Sequence, residues 1–210
     1  MRVKVIDAAI AFGSFTVFRH FSACFEAGQV TALVGPSGSG KSSLLAAMAG
    51  YVALDQGAIE VQDRGISRAP HADLVAWVPQ GSNALARRSV LDNVLIAALS
   101  AGSTMAEATD VAEDALTQVG LADRSEEQAR RLSGGELQRV AIARALASGK
   151  GLILADEPSA NLDARNTEEV AGILNRLISR ATIVVATHDP ILVGASHAAV
   201  HLRSEAASLA

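Results

Sequence analysis

The stretch Gly35-Pro36-Ser37-Gly38-Ser39-Gly40-Lys41-Ser42 decides how the chain folds. It fits G-x-x-x-x-G-K-[ST] and lies between an apolar run at 30–34 and a helical pattern at 42–49, the strand–loop–helix context of a phosphate-binding loop. The glycines let backbone wrap closely around phosphate oxygens in conformations that a Cβ would forbid. The amide N–H groups then point inward, helped by the positive end of the following helix. Lys41 supplies a compact positive charge to the β- and γ-phosphates, Ser42 offers a hydroxyl to Mg2+, and Ser43 follows as a further binding candidate. The bland alternative is a glycine-rich turn that caps a helix by chance. Lysine usage speaks against it. Lysine occurs only at positions 4, 41 and 150, so 15 of the 18 basic residues are arginine.

Outward from this loop, apolar runs at 151–155 and 182–186 show no alternation and read as strands buried on both faces, as in a parallel sheet. Helical patterns at 134–147 and 164–179 separate them, the second with Asp163 as a good N-cap. Strands alternating with helices predict an α/β fold with a parallel sheet. The first 30 residues and 57–62 read as a smaller, antiparallel β region. Residues 85–132 read as helices only, over 90–99 and 104–119, with Thr104 and Glu107 at capping-box spacing. The expected organisation is one domain, with 1–84 and 133–210 as the core and 85–132 as an inserted helical subdomain. The tail at 204–210 is expected to fray.

Composition narrows the function. Among 210 residues half are apolar and 19% are charged, enough for a core and too apolar for global disorder. The net charge of −4 excludes nucleic acid as a main partner, which needs a basic surface. The single cysteine, Cys24, excludes a disulfide framework and a cysteine-rich zinc site, and sets an intracellular expectation. No apolar stretch approaches the roughly 20 residues of a membrane span, and Asp7 interrupts the basic-then-apolar start that would suggest a signal peptide. The chain is expected to have no membrane span of its own.

A phosphate loop that serves hydrolysis needs a carboxylate at the end of a neighbouring strand. Leu152-Ile153-Leu154-Ala155-Asp156-Glu157 has that form. Asp156 would contact Mg2+ directly or through water, and Glu157 would be the general base that orients the attacking water. The alternative is a strand that ends in a solvated turn.

Four further features resemble one family, the ATP-binding cassette (ABC) ATPases. Leu132-Ser133-Gly134-Gly135-Glu136-Leu137-Gln138-Arg139 resembles their signature motif, and Ser159-Ala160-Asn161-Leu162-Asp163 their D-loop. Gln80, in Trp77-Val78-Pro79-Gln80, resembles their Q-loop glutamine, and His188, in Thr187-His188-Asp189, their switch histidine. The spacing agrees: Gln80 lies 38 residues after Ser42, Ser133 lies 53 after Gln80, Asp156 lies 23 after Ser133, and His188 lies 31 after Glu157. Each motif has an ordinary explanation by itself; Ser133 with Glu136 is also a capping box. Ser159 stands where the family frequently has threonine.

The resemblance implies a P-loop NTPase core of RecA-like type with a small antiparallel β subdomain and an inserted α-helical subdomain. It implies an ATPase with ATP and Mg2+ as cofactors, in which two nucleotide-binding domains meet head to tail. Lys41 and Ser42 of one copy and Ser133, Gly134 and Gly135 of the other would then hold the same ATP. Gln80 would attend to the metal and water, His188 to the γ-phosphate, and Asp163 would link the two sites. The family stacks adenine on an aromatic side chain; Phe12 falls at the expected distance before the loop, with Phe15 as the fallback. A separate transmembrane permease subunit would press a short helix into a groove, for which Leu85, Val90 and Leu91 are candidates. The second cassette, identical or different, and the permease would place the chain on the cytoplasmic face of a cell membrane. A non-transport ATPase that regulates a membrane or cell-wall complex, and a catalytically silent nucleotide-binding module, are the rival implications. The Leu132–Glu136 and 154–158 stretches look most like stand-alone bacterial cassettes, such as those of lipoprotein-release and macrolide-export systems. The Trp77 to Gln80 segment looks more like exporters with fused membrane domains, so substrate and direction stay unassigned.

Overall fold

In a computed structural model, which describes residues 1–203, the chain begins with a long hairpin: β1 (Arg2–Phe12) and β2 (Phe15–Phe25). Next come β3 (Val30–Val34), α1 (Lys41–Met48), β4 (Gln56–Asp63), β5 (Ile66–Arg68) and β6 (Val75–Val78). Three helices follow, α2 (Val90–Ser100), α3 (Met105–Gln118) and α4 (Gly134–Ala147). The chain then runs through β7 (Leu152–Asp156), α5 (Ala164–Arg176), β8 (Thr182–Thr187), α6 (Pro190–Ala195) and β9 (Ala198–His201). The frayed tail expected at 204–210 lies outside the described residues.

Two sheets form. One is parallel throughout, in the order β6-β7-β8-β3-β9. The other is antiparallel, in the order β2-β1-β4-β5. The unbroken apolar runs of β7 and β8 follow from burial on both faces. Leu152, Leu154, Val184 and Ala186 pack with Phe18, Phe25, Leu44, Leu45 and Met48, beneath the antiparallel sheet and α1. Ile153, Ala155, Ile183 and Val185 face the other way, into the core shared with α4 and α5. In α5, Val170, Ile173 and Leu174 point into that core at helical spacing, and Leu177 just beyond the helix joins them.

Segment 85–132 carries α2 and α3, which pack on each other and on α4. The expectation of helices alone needs a correction here. Two 3-10 turns, Ala122–Arg124 and Ala129–Arg131, lie in it, and Ser89 bridges Gln128 in antiparallel fashion. That bridge satisfies backbone groups flanking α2: Val90 N–H donates to the Glu127 carbonyl at 2.8 Å and Ala129 N–H to the Arg88 carbonyl at 3.0 Å. The helix expected over 164–179 stops as an α-helix at Arg176, and Leu177–Ser179 closes it as a 3-10 turn. The capping box at Thr104 is complete, with Thr104 N–H donating to Glu107 at 2.9 Å.

The parallel sheet positions the chemistry. β8 lies between β3 and β7, with Val34 opposite Thr187 and Asp156 opposite Ala186. The loops after β3, β7 and β8 therefore leave one edge side by side. That carboxyl edge is where open α/β sheets bind ligands. Because Leu154 is fully buried in the middle of β7, Leu154→Ala is expected to cost about 2–5 kcal/mol in urea unfolding, with a smaller effect if the site collapses.

Candidate active site

The loop between β3 and α1 turns on glycines with positive φ. Gly40, the residue before α1, has φ 94°, and a Cβ there would collide with Val17 of β2 and press on Phe18. The antiparallel sheet therefore packs directly on the loop and tolerates only glycine at that point. Among the loop residues, Ser37, Gly38, Gly40, Lys41, Ser42 and Ser43 line a cleft of about 440 Å3. Gly35 and Pro36 contribute carbonyls: Lys41 Nζ donates to them at 2.8 and 3.2 Å. Ser39 is buried with a hydroxyl that has no partner.

Two polar chains tie the loop to the acidic end of β7; Asp156 itself does not line the cleft. In one, Lys41 Nζ lies 3.3 Å from Glu157 Oε1, and Glu157 in turn meets His188 Nδ1 at 3.1–3.2 Å. In the other, the Ser42 hydroxyl donates to Asp156 Oδ1 at 3.0 Å. Gln80 enters from the end of β6, and Glu157 and His188 come from the ends of β7 and β8. Glu157 has φ 46°, the left-handed region that a glutamate rarely adopts. Its N–H donates to the Ala186 carbonyl of β8 at 2.9 Å, which fixes the turn and aims the carboxylate back into the cleft. Such strain, on the order of 1 kcal/mol, persists only where surrounding structure over-determines it.

Burial pushes the Asp156 carboxyl above its usual range, and the neighbouring Glu157 charge adds to this; the Ser42 hydrogen bond and Lys41 oppose the shift only in part. Asp156 and Ser42 together offer oxygen donors of two kinds, and no group of three or more His, Cys, Asp or Glu among the described residues is placed to hold a metal. This donor set suits Mg2+, which is content with one or two protein oxygens and takes the rest from phosphate and water.

Phe12 and Phe15 face each other across the hairpin, are 56% and 58% exposed, and both line the cleft. A core role for either is thus ruled out, and the pair forms an apolar wall opposite the loop. Val17 and Ala160 also line the cleft. Sequence reasoning quoted Ala160 only as part of the D-loop stretch and missed Val17, because small apolar residues carry no chemical signal of their own.

The remaining candidates stand apart. Ser133 and Gly134 are exposed at the start of α4, and Asp163 is exposed at the start of α5; none of them, nor Gly135, lines the cleft. Gly135 is buried, and a Cβ there would run into the Asn166 side chain. Asp163 Oδ1 accepts from the N–H and the side-chain amide of Asn166, both at 2.8 Å. Asn166 thus joins the starts of the two helices, a role that no motif announced.

A second cleft, of about 350 Å3, opens between β6, α2 and α4. Tyr51, Trp77, Pro79, Ala97 and Arg144 line it. The groove residues expected from sequence are placed otherwise: Val90 is fully buried, Leu91 packs against the core and Leu85 is exposed outside this cleft.

With the loop, the paired acids and the histidine brought together on one sheet edge, comparison with known proteins becomes decisive. The family model described as "ABC transporter" matches residues 18–160. The chain belongs to the ABC transporter family. The lipoprotein-releasing system ATP-binding protein LolD of Bacteroides thetaiotaomicron is 35% identical over 209 residues, covering 95% of this chain and 96% of that one. The arginine transport ATP-binding protein ArtM of Bacillus subtilis is 34% identical over 194 residues, covering 89% and 81%. Among solved structures, an inward-facing putative metal-chelate type ABC transporter matches with a TM-score of 0.83 and 30% identity, covering 96% of this chain and 79% of that one. The ADP conformation of an ATP-binding cassette shares the fold, with a TM-score of 0.85 at 22% identity, covering 97% and 88%. The chain is therefore an ATP-binding cassette, the ATP-hydrolysing subunit of an ABC transporter. No helix among the described residues is long and apolar enough to cross a membrane.

The Asp156 carboxyl gives a pH-linked expectation. Because its pKa is raised in the fold, ionisation opposes folding, and this cost appears as pH rises above the ordinary carboxyl range of about 3.9. Asp156→Asn removes it while an amide oxygen can still accept from Ser42. Its melting temperature at neutral pH without nucleotide is expected to exceed that of the parent, the difference vanishing near pH 3, while Mg2+-dependent ATP hydrolysis falls. An unchanged melting temperature at pH 7 would refute the account of burial.

Proposed function

We propose that the cassette works in pairs, with ATP held between Lys41 and Ser42 of one copy and Ser133, Gly134 and Gly135 of a second cassette, identical or different. The observation that carries this is the separation of the two sets of donors. The loop cleft is lined by Phe12, Phe15, Lys41, Gln80, Glu157 and His188, whereas the start of α4 is exposed elsewhere. A helix start with free N–H groups and a serine hydroxyl favours an anion. A triphosphate attracts both surfaces, so it holds two copies together, and its hydrolysis removes the bridge.

On this reading the floor of the cleft rearranges when nucleotide enters. Lys41 leaves the Gly35 and Pro36 carbonyls and Glu157 to meet the phosphates. Glu157 then accepts a proton from the attacking water, with His188 holding its other side and contacting the γ-phosphate. Ser42, Asp156 and Gln80 would hold Mg2+, which neutralises charge on the phosphates. Phe12, with Phe15 beside it, stacks on adenine. Stacking survives without the hydroxyl of a tyrosine. Asp163 meets the partner cassette.

The cleft lined by Tyr51, Trp77 and Arg144 is the proposed seat for a segment of a separate transmembrane permease subunit, which would keep the cassette on the cytoplasmic face of a cell membrane. The helical subdomain at 85–132 forms one wall of it. The cargo stays open for a physical reason. Relatives named for lipoproteins and for arginine match at similar identity, as expected if the transported molecule never touches the cassette.

Glu157→Gln is expected to keep ATP binding while turnover falls by about a hundredfold or more, since general-base catalysis contributes roughly 10²–10⁴-fold. ATP should then accumulate the paired form, visible by light scattering. Turnover at the parent rate would overturn the assignment of Glu157 as base.

A further inference from the structure

Resting on the proposal that Ser133 meets a phosphate of the partner's ATP, we infer that Arg124 is a positioning residue that offsets the charge of Glu136 and so keeps the start of α4 attractive to an anion. The difficulty is plain from the distances. Glu136 Oε2 accepts from Ser133 N–H at 2.7 Å and from the Ser133 hydroxyl at 2.8 Å. A full negative charge thus sits beside the hydroxyl that would face phosphate. Left uncompensated, it opposes the positive helix end, because a unit charge outweighs the roughly half charge of a helix terminus.

Arg124 supplies the compensation from outside α4. It ends the 3-10 turn Ala122–Arg124 in the helical subdomain, and its Nη1 donates to Glu136 Oε1 at 2.9 Å. The two carboxylate oxygens are thereby divided, one to the cap and one to the guanidinium. Glu127 takes the other edge of the fork, with Arg124 Nε 2.5 Å from its Oε1 and Nη2 donating to its Oε2 at 2.9 Å, so one guanidinium bridges two carboxylates. Burial alone would raise the Glu136 carboxyl, but the Ser133 bonds and the charges of Arg124 and Arg139 outweigh it and hold it below the usual range. Glu136 therefore stays ionised, and its charge has to be offset by a cation rather than a proton. Arg139 acts on Glu136 only from a distance, its own Nη1 lying 2.9 Å from Glu169 Oε2. Arg124 alone touches Glu136 among the described ion pairs.

The test uses the Glu157→Gln background, in which ATP accumulates pairs, and reads the Mg-ATP concentration that half-assembles them by light scattering. Arg124→Gln is expected to raise it by about tenfold to a hundredfold, more at low salt than at high salt, as for an unscreened charge a few ångströms from the phosphate. Arg124→Lys keeps the charge and is expected to stay within a few-fold. The decisive variant is Arg124→Gln with Glu136→Gln. Glutamine can still complete the capping box, so the double variant should recover most of the loss, with Glu127 as the one carboxylate left unpaired. A double variant as weak as Arg124→Gln would show that Arg124 only braces the helical subdomain, and the assignment falls. If Glu157→Gln binds ATP yet never pairs, the shared-nucleotide reading itself falls, and this inference with it.

Discussion

An acidic chain that must grip a polyanion has to silence its own carboxylates, and most of the site's geometry follows from that constraint. The net charge is −4, yet the proposed reaction asks Asp156 to hold a cation and Glu157 to take a proton. Each is answered by a different device. Glu157 is paired with Lys41 and His188, and Asp156 is half-buried against the Ser42 hydroxyl. The pairing with Lys41 has a mechanistic consequence under the proposed reaction. The same ammonium that cancels Glu157 is the group that phosphate attracts, so arrival of nucleotide and release of the base are one event.

The two kinds of cation divide the work according to shape. Lys41 and Lys150 each direct a compact ammonium at two backbone carbonyls: Gly35 and Pro36 for the first, Ala72 and Val75 for the second. Arg2, Arg124, Arg139 and Arg180 each present a planar fork to a carboxylate. A guanidinium holds two partners in fixed directions, whereas an ammonium can swing from one acceptor to another. In a chain with three lysines, the loop position is where the proposed reaction requires swinging, and a fixed fork would be a poor substitute.

The phosphate loop, the acidic strand end and the long helices were legible because each joins a chemical signal to a periodicity. Val30–Val34, Leu152–Asp156 and Thr182–Thr187 are unbroken apolar runs, and the capping residues Thr104, Ser133 and Asp163 all cap as their spacing predicts. What stayed hidden lacks one signal or the other. β5, with three exposed residues, and β9, an edge strand that is mostly exposed, show no burial pattern. The four-residue β6 is too short for alternation to register. The Ser89–Gln128 bridge and the Arg124–Glu136 pair depend on residues 39 and 12 apart that meet only after α2, α3 and α4 have packed. The left-handed turn at Glu157 was invisible for a related reason. Nothing in an Asp-Glu-Pro run predicts a positive φ at the glutamate; the hydrogen bond to Ala186 across the sheet imposes it.

The same dependence on packing explains how distant surfaces are tied together. α4 carries Ser133 at its start and, through Ala141, Arg144 and Ala145, lines the cleft proposed for a permease segment. Fourteen residues of α-helix make a rod of about 21 Å. Arg144 also donates to the Asn83 carbonyl at 3.0 Å, three residues beyond Gln80, so the segment after β6 is bonded to the same rod. At the other end, Asn166 packs on Gly135 and holds Asp163. Pressure on the second cleft therefore bears on a helix whose far end carries the proposed phosphate donors. Because that helix is buried along Val140, Ala141, Ile142 and Ala143, it can shift as a body more readily than it can bend, and close-packed interiors respond to such shifts between discrete arrangements rather than by gradual deformation.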